Sequence, residues 1–186
     1  MKKALAVALV VAAVGCRSTT RYDRQHEAMM SSTTTATVTS MNAADIAAIM
    51  TTASEGEIDQ AQAALPHLTT QAARDFANMM IADHTAALNE ARTTFSSNHI
   101  VPRDSNGQVG MLRDQSKQIV AAVNNAASAD RIYMQSQVNL HQSLLTMMDT
   151  QFIPSAQNDL FNLLQKQRTA LAAHLDRARE ILAELP

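Results

Sequence analysis

The stretch FANMMIADHTAALNEARTTF, residues 76–95, carries the pattern that decides the fold. Its apolar residues return every three or four positions, which is the period of one face of an α-helix. The full stripe comprises Ala73, Phe76, Ala77, Met80, Ala87, Leu88, Ala91 and Phe95. One ionisable residue, His84, falls on the same face. The pattern therefore predicts a long helix that starts at Thr69 or Thr70 and buries a histidine.

Three other segments share this period. The first is capped by Asn42 and stopped by Pro66, the third runs from Ser128 to the residue before Pro154, and the fourth follows that proline. Residues 97–127 break the pattern and contain a weaker helical stretch, so they are predicted to form a crossover. Strand-like alternation is absent from the sequence. The fold class predicted is all-α: a ferritin-like four-helix bundle of two helical hairpins joined by a long crossover.

Each main helix has one ionisable residue on its apolar stripe. These residues are Glu57, His84, His141 and His174. They stand seven, eleven or fourteen positions from apolar members of the same stripe, and such spacings return to one helical face. Counting from the predicted helix ends places His84 and His141 at one level of the bundle. The same count places Glu57 and His174 at a second level, roughly 10 Å away.

Two interpretations of these four residues are open, because buried ionisable groups cost several kcal/mol unless they are paired or bind a metal. Hydrogen-bonded His–Glu and His–His contacts in the core are the interpretation we favour. The alternative is a single zinc, copper or iron ion, since imidazole suits all three. A di-iron centre is disfavoured, because its Glu-x-x-His motifs are missing. The positions three before the histidines are Ile81, Val138 and Leu171.

Two neighbours of His84 receive simpler interpretations. Met80, one turn earlier, is predicted to fill the core, although a thioether could favour reduced copper. Asp83 is about 100° around the helix from His84 and is predicted to face water.

The N-terminal sequence MKKALAVALVVAAVGC, residues 1–16, has the three regions of an export signal. Two lysines precede an apolar run that is too short to span a bilayer, and small residues precede the cysteine. Residues 1–15 are therefore predicted to be a lipoprotein signal peptide and Cys16 the acylated first residue. An ordinary signal peptide, or a short buried helix with an incidental thiol, is the alternative.

Residues 16–41 are rich in Ser and Thr and have little to bury, which predicts a disordered tether. Residues 42–186 then form the bundle domain. Arg17 follows the cysteine where Asp would favour retention at the inner membrane. The expected location is thus the outer membrane, lipid-anchored and facing the periplasm or the surface.

Composition excludes several classes of function. Removal of Lys2 and Lys3 lowers the count of Lys and Arg from 15 to 13, against 17 Asp and Glu, so the mature side chains carry about −4. Such a chain, which has no run of basic residues, lacks the positive charge that nucleic-acid binding requires. With its only cysteine acylated, disulfide and thiolate chemistry are excluded as well. No complete catalytic motif is present, so we expect no enzymatic activity.

Four segments of the chain resemble a known family. ASEGEID (53–59), FANMMIADHTAAL (76–88), DRIYMQSQVNLHQSLL (130–145) and LAAHLDRARE (171–180) are similar to the blocks of DUF4142, a family of exported bacterial helical domains. The resemblance implies a ferritin-like bundle but no established activity. It also marks recurrent polar positions at Glu57, His84, Asp130, Tyr133, His141 and His174. Ala129 departs from the family pattern, in which Phe is usual, and so does Ala126 or Ala127, where Gly is expected.

These observations predict a lipid-anchored protein of the bacterial envelope. Its helical bundle is expected to be a non-catalytic structural or interaction module, with a protein partner or a second copy of itself as the possible binding partner. The alternative is a periplasmic metal-binding or metal-handling protein that uses the inward His and Glu side chains.

Overall fold

The computed structural model describes residues 41–185, and the predicted signal peptide and almost all of the predicted tether lie outside them. The described part is a helical bundle without strands, which confirms the prediction of an all-α bundle. Its five helices are α1 (Ala43–Ala64), α2 (Gln71–Ser97), α3 (Gln108–Asn124), α4 (Ala129–Met147) and α5 (Asn158–Glu184). None of these helices is both long enough and apolar enough to cross a bilayer.

The first hairpin begins and turns at residues that the sequence identified. The Asn42 side chain accepts a hydrogen bond from the Asp45 backbone N–H and so caps α1. A short 3₁₀ turn, Leu65–His67, contains Pro66 and ends this helix. Thr70 then caps α2 by accepting from the Ala73 N–H. Short connections of this kind make neighbouring helices antiparallel.

Asp130 connects the start of α2 to the start of α4. Its carboxylate accepts four hydrogen bonds, from the backbone N–H and the hydroxyl of both Thr69 and Thr70, at 2.6–2.9 Å. Burial would raise the pKa of Asp130, but these four donors lower it to about 2. One buried carboxylate therefore fixes the relative positions of two helix N-termini.

The crossover between the hairpins contains a helix, α3, which packs along α1. The two helices approach closely at Gly56, where a Cβ atom would lie 3.2 Å from Ser116 Oγ. The Ser116 hydroxyl donates to the Gly56 carbonyl at 3.2 Å. Before α3, the backbone N–H and hydroxyl of Ser105 donate to Asp45 and attach the crossover to the first turn of α1.

The end of α4 differs from the prediction that Pro154 stops this helix. After Met147 the chain makes a π-helical turn, Met148–Phe152, and a helical turn, Ile153–Ser155, that includes the proline. Ile153 keeps helical angles (φ −61°, ψ −45°), although a following proline disfavours them. The wider π turn accommodates the proline within the helical path, and α5 begins only at Asn158.

The core lies between the two hairpins, α1–α2 and α4–α5, which meet chiefly along α2 and α5. Tyr133, Met80, Met134 and Leu164 are among its fully buried side chains, which confirms Met80 as a core residue. Met41 is buried as well, and its N–H donates to Ser155 Oγ. The apolar stripes thus close around one interior, in which the polar residues described next are enclosed.

Candidate metal centre

Four helices each contribute one ionisable side chain to the centre of the bundle. Glu57 comes from α1, His84 from α2, His141 from α4 and His174 from α5. Glu57 and His141 are fully buried, and His84 and His174 are 7% and 5% exposed. The prediction that these four positions face inward is confirmed.

The three imidazoles form one compact group. Their ring centroids lie 5.4–6.2 Å apart, and one nitrogen from each ring lies within 4.8 Å of the others. Glu57 Oε2 lies 3.1 Å from His84 Nε2 and 3.3 Å from His141 Nε2. Neither contact is aligned as a hydrogen bond, and these atoms have no hydrogen-bond partner within residues 41–185.

This arrangement corrects the two-level estimate made from the sequence. Glu57 contacts His84 and His141 directly, and His174 lies against both rings, so there is one cluster rather than two pairs 10 Å apart. Part of the error came from counting positions from Pro154. Because α5 starts four residues later, at Asn158, the count was wrong by about 6 Å, or one helical turn.

The hydrogen bond of His141 fixes which of its nitrogens carries the hydrogen. Nδ1 lies 2.9 Å from the Gln137 carbonyl oxygen, one turn earlier on α4. A carbonyl oxygen can only accept, so Nδ1 donates and, in the neutral ring, Nε2 holds a lone pair. That lone pair is directed at the cluster, where the carboxylate of Glu57 also offers only lone pairs. Two such atoms at 3.3 Å repel each other unless a proton or a metal ion lies between or beside them.

In His174 the other ring nitrogen is the hydrogen-bond donor, and Asp83 is its partner. Its Nε2 lies 2.9 Å from Asp83 Oδ2, and an ionised carboxylate only accepts, so Nε2 donates. Nδ1 of His174 is then left with a lone pair, and it has no hydrogen-bond partner among the described residues. The prediction that Asp83 faces water was therefore incomplete. Its side chain is 51% exposed, but one oxygen reaches back to α5.

Burial and mutual charge interactions shift the pKa values of Glu57, His84 and His141. Burial alone would raise the pKa of Glu57, but the histidines around it, His141 first, lower it to about 2. Burial lowers the pKa of His84, and the charge of Glu57 more than reverses this effect. For His141 burial dominates and the pKa is lowered. The centre thus favours an ionised Glu57, a neutral His141 and a positive charge near His84.

A layer of neutral polar groups lies beside the cluster. The Gln137 side chain donates to Gln60 Oε1 at 3.0 Å, and both residues are buried. The Tyr133 hydroxyl is fully buried, has no hydrogen-bond partner in the described part of the chain, and has a raised pKa owing to burial and to Glu57. The family resemblance marked Tyr133. Nothing in the apolar periodicity identified Gln60 or Gln137, because glutamine is common on exposed helix faces.

The remaining candidates lie elsewhere. Cys16 falls outside the described residues. His67 and His99 are exposed and take no part in the cluster. Asp130, marked by the resemblance, acts at the helix N-termini and not at the cluster.

Comparison with known proteins gives a family and no further relative. The family described as "Domain of unknown function (DUF4142)" matches residues 28–181. No curated protein and no solved structure matches the chain.

Proposed function

The chain belongs to the DUF4142 family, and we propose that its bundle is a metal-binding module of the bacterial envelope. The ion is a transition metal, zinc, copper or iron, held by His84, His141, His174 and Glu57. The observation that carries this proposal is the tautomer of His141. Its hydrogen is committed to the Gln137 carbonyl, so its Nε2 and the carboxylate of Glu57 face each other as two lone-pair donors in a buried site.

The donor set fits such an ion. Three imidazole nitrogens and one carboxylate oxygen match the ligands of zinc and copper sites. Asp83 holds the second nitrogen of His174, and a carbonyl holds that of His141, which is how metal-binding histidines are usually oriented. A tetrahedral ion with bonds of about 2 Å places its donors roughly 3.3 Å apart. The three nitrogens lie within 4.8 Å of one another, so each pair needs to close by no more than roughly 1.5 Å.

A purely structural role is the second candidate, and one observation favours it. The pKa of His84 is raised by Glu57 despite burial, so a proton on His84 can supply the positive charge that the carboxylate needs. In that case the bundle is the non-catalytic structural or interaction module expected from the sequence. The two candidates differ in whether a metal ion changes stability.

The envelope location and the ferritin-like relationship are part of the proposal. Support for the location comes from the leader sequence of residues 1–15, from Cys16 and from Arg17 after it. Support for the relationship comes from two hairpins joined by a crossover, with polar side chains directed into the bundle.

The test is the melting temperature of the full-length chain in mild detergent, with chelator and with added zinc or copper. The protein carries Cys16→Ser so that the thiol does not compete for metal. An ion at a hundredfold excess over Kd stabilises by about 2.7 kcal/mol, or roughly 5–10 °C for a chain of this size. Metal analysis is expected to give one ion per chain.

Variants decide which residues are responsible. His84→Leu, His141→Leu, His174→Leu and Glu57→Gln are each expected to remove most of the metal-dependent increment, because ligands act together through one ion. His67→Leu, in the exposed turn after α1, is the control and should keep the increment. A wild-type protein whose melting temperature ignores both metal and chelator would establish the structural role instead.

A further inference from the structure

A cavity of about 70 Å³ adjoins the cluster on one side. Its walls are mainly apolar and include Met50, Leu144, Met148 and Phe152. At one end it is bounded by Glu57, His84 and His174, while His141 does not line it. The cluster is therefore closed by protein on the His141 side and open to a cavity on the other.

The π-helical turn shapes this cavity. Met148 and Phe152 are the first and last residues of that turn, and both line the wall. Such turns in otherwise α-helical segments are frequent at functional sites, because they redirect side chains that a regular helix would place elsewhere. Part of the cavity wall is thus formed by a specific backbone feature.

The polar end of the cavity holds buried atoms that need a partner. Both oxygens of Glu57, both ring nitrogens of His84 and Nδ1 of His174 have no hydrogen-bond partner within residues 41–185. An ion bound to four protein donors at this end must expand to five ligands to accept a small molecule, as some zinc sites do, and the fifth ligand can enter only from the cavity side.

Charge and size limit the ligand. Glu57 and Asp83 both border the cavity, so a divalent ion with neutral imidazoles leaves no net charge to attract an anion. A volume of 70 Å³ holds about five water-sized groups. The apolar walls disfavour a strongly hydrated molecule.

We propose that the cavity binds a small neutral donor molecule, of about five non-hydrogen atoms, whose lone pair ligates the ion held by the histidines. This inference rests on the proposed metal-binding function. It assigns the cavity as the ligand site and the π turn, with Met148 and Phe152, as its apolar wall.

The test uses the full-length Cys16→Ser chain loaded with Co²⁺, whose visible absorption reports its coordination. Pyrazole, a neutral five-atom ring with one free lone pair, is the probe, and thiocyanate is the anionic comparison. Ala87→Leu fills the cavity from α2, and Ala53→Leu fills it from α1. Ala86→Leu, exposed and adjacent to Ala87, is the matched control.

We expect pyrazole to change the Co²⁺ spectrum with saturation and to bind more tightly than thiocyanate. Both cavity-filling variants should keep their Co²⁺ affinity and lose at least tenfold in pyrazole affinity, whereas Ala86→Leu should match the parent. Co²⁺ binding without a pyrazole response, or equal responses in all variants, would overturn this inference alone. Failure to bind Co²⁺ would overturn the metal-binding function and this inference together.

Discussion

His174 Nε2 lies 2.9 Å from Asp83 Oδ2, so a half-exposed carboxylate on α2 orients a buried ring on α5. This contact fixes the ring nitrogen that carries the hydrogen and leaves the buried Nδ1 without a hydrogen-bond partner within residues 41–185. Partners of this kind raise the basicity of a ligand and hold its orientation.

Removing this partner should weaken metal binding without removing a ligand. Asp83→Ala is expected to lower the affinity for zinc by about 10- to 100-fold, because His174 loses its orientation. Asp176→Ala, an exposed carboxylate two residues after His174, is the control and should leave the affinity unchanged. Isothermal titration calorimetry measures both, and equal affinities in the two variants would remove Asp83 from the centre.

Asp130 makes the bundle sensitive to acid. Its pKa of about 2 in the folded chain lies below its ordinary value of 3.8, so its contribution to stability is present above pH 4 and disappears as pH falls toward 2. The difference between the two pKa values corresponds to about 2 kcal/mol of unfolding free energy. Solvent screens little of this contribution, because the Asp130 side chain is buried.

This contribution can be isolated by substitution. Asp130→Asn should already be destabilised at pH 7 and should lose less of its remaining stability between pH 4 and 2 than the parent does. Urea denaturation across that range provides the measurement, with the exposed Asp114→Asn as the control. Parallel pH profiles for the parent and Asp130→Asn would contradict the assignment.

Sequence reasoning found the helices and the four inward residues because both follow from the 3.6-residue period. It could not predict the positions of those residues along the bundle axis, because Pro66 and Pro154 do not fix where a helix starts or ends. The π turn after Met147 and the delayed start of α5 come from tertiary packing. Asp83 was misjudged for a related reason, because an angle around one helix does not show how close the next helix comes.

Gly56 on α1 is expected to tolerate a larger side chain poorly. A larger side chain there meets Ser116 on α3, so Gly56→Val should cost about 1–3 kcal/mol of stability by overpacking. Ala63→Val, half-buried on the same helix, should cost less. Chemical denaturation measures both.

A second substitution tests whether contact with Ser116 causes the stability loss of Gly56→Val. Ser116→Gly removes the atoms that a side chain at position 56 would meet, and it should recover part of the loss caused by Gly56→Val. Purely additive effects of the two substitutions would show that the loss has another origin.

Cys16→Ser tests the predicted lipid anchor. In a bacterium that processes lipoproteins, the parent chain should incorporate labelled palmitate and sediment with membranes. The variant should lose the label and should leave the membrane fraction or keep its leader. Mass spectrometry of the parent N-terminus is the decisive measurement, and cleavage at another site with an unmodified Cys16 would refute the prediction.

The four donors come from four helices, and the chain between Glu57 and His174 covers most of the bundle. Neither hairpin alone can assemble the set, because α1–α2 supplies one pair and α4–α5 the other. We therefore expect ion capture to come late in folding, after the hairpins have docked. Substitutions that loosen the contact between the hairpins should therefore shorten the lifetime of a captured ion.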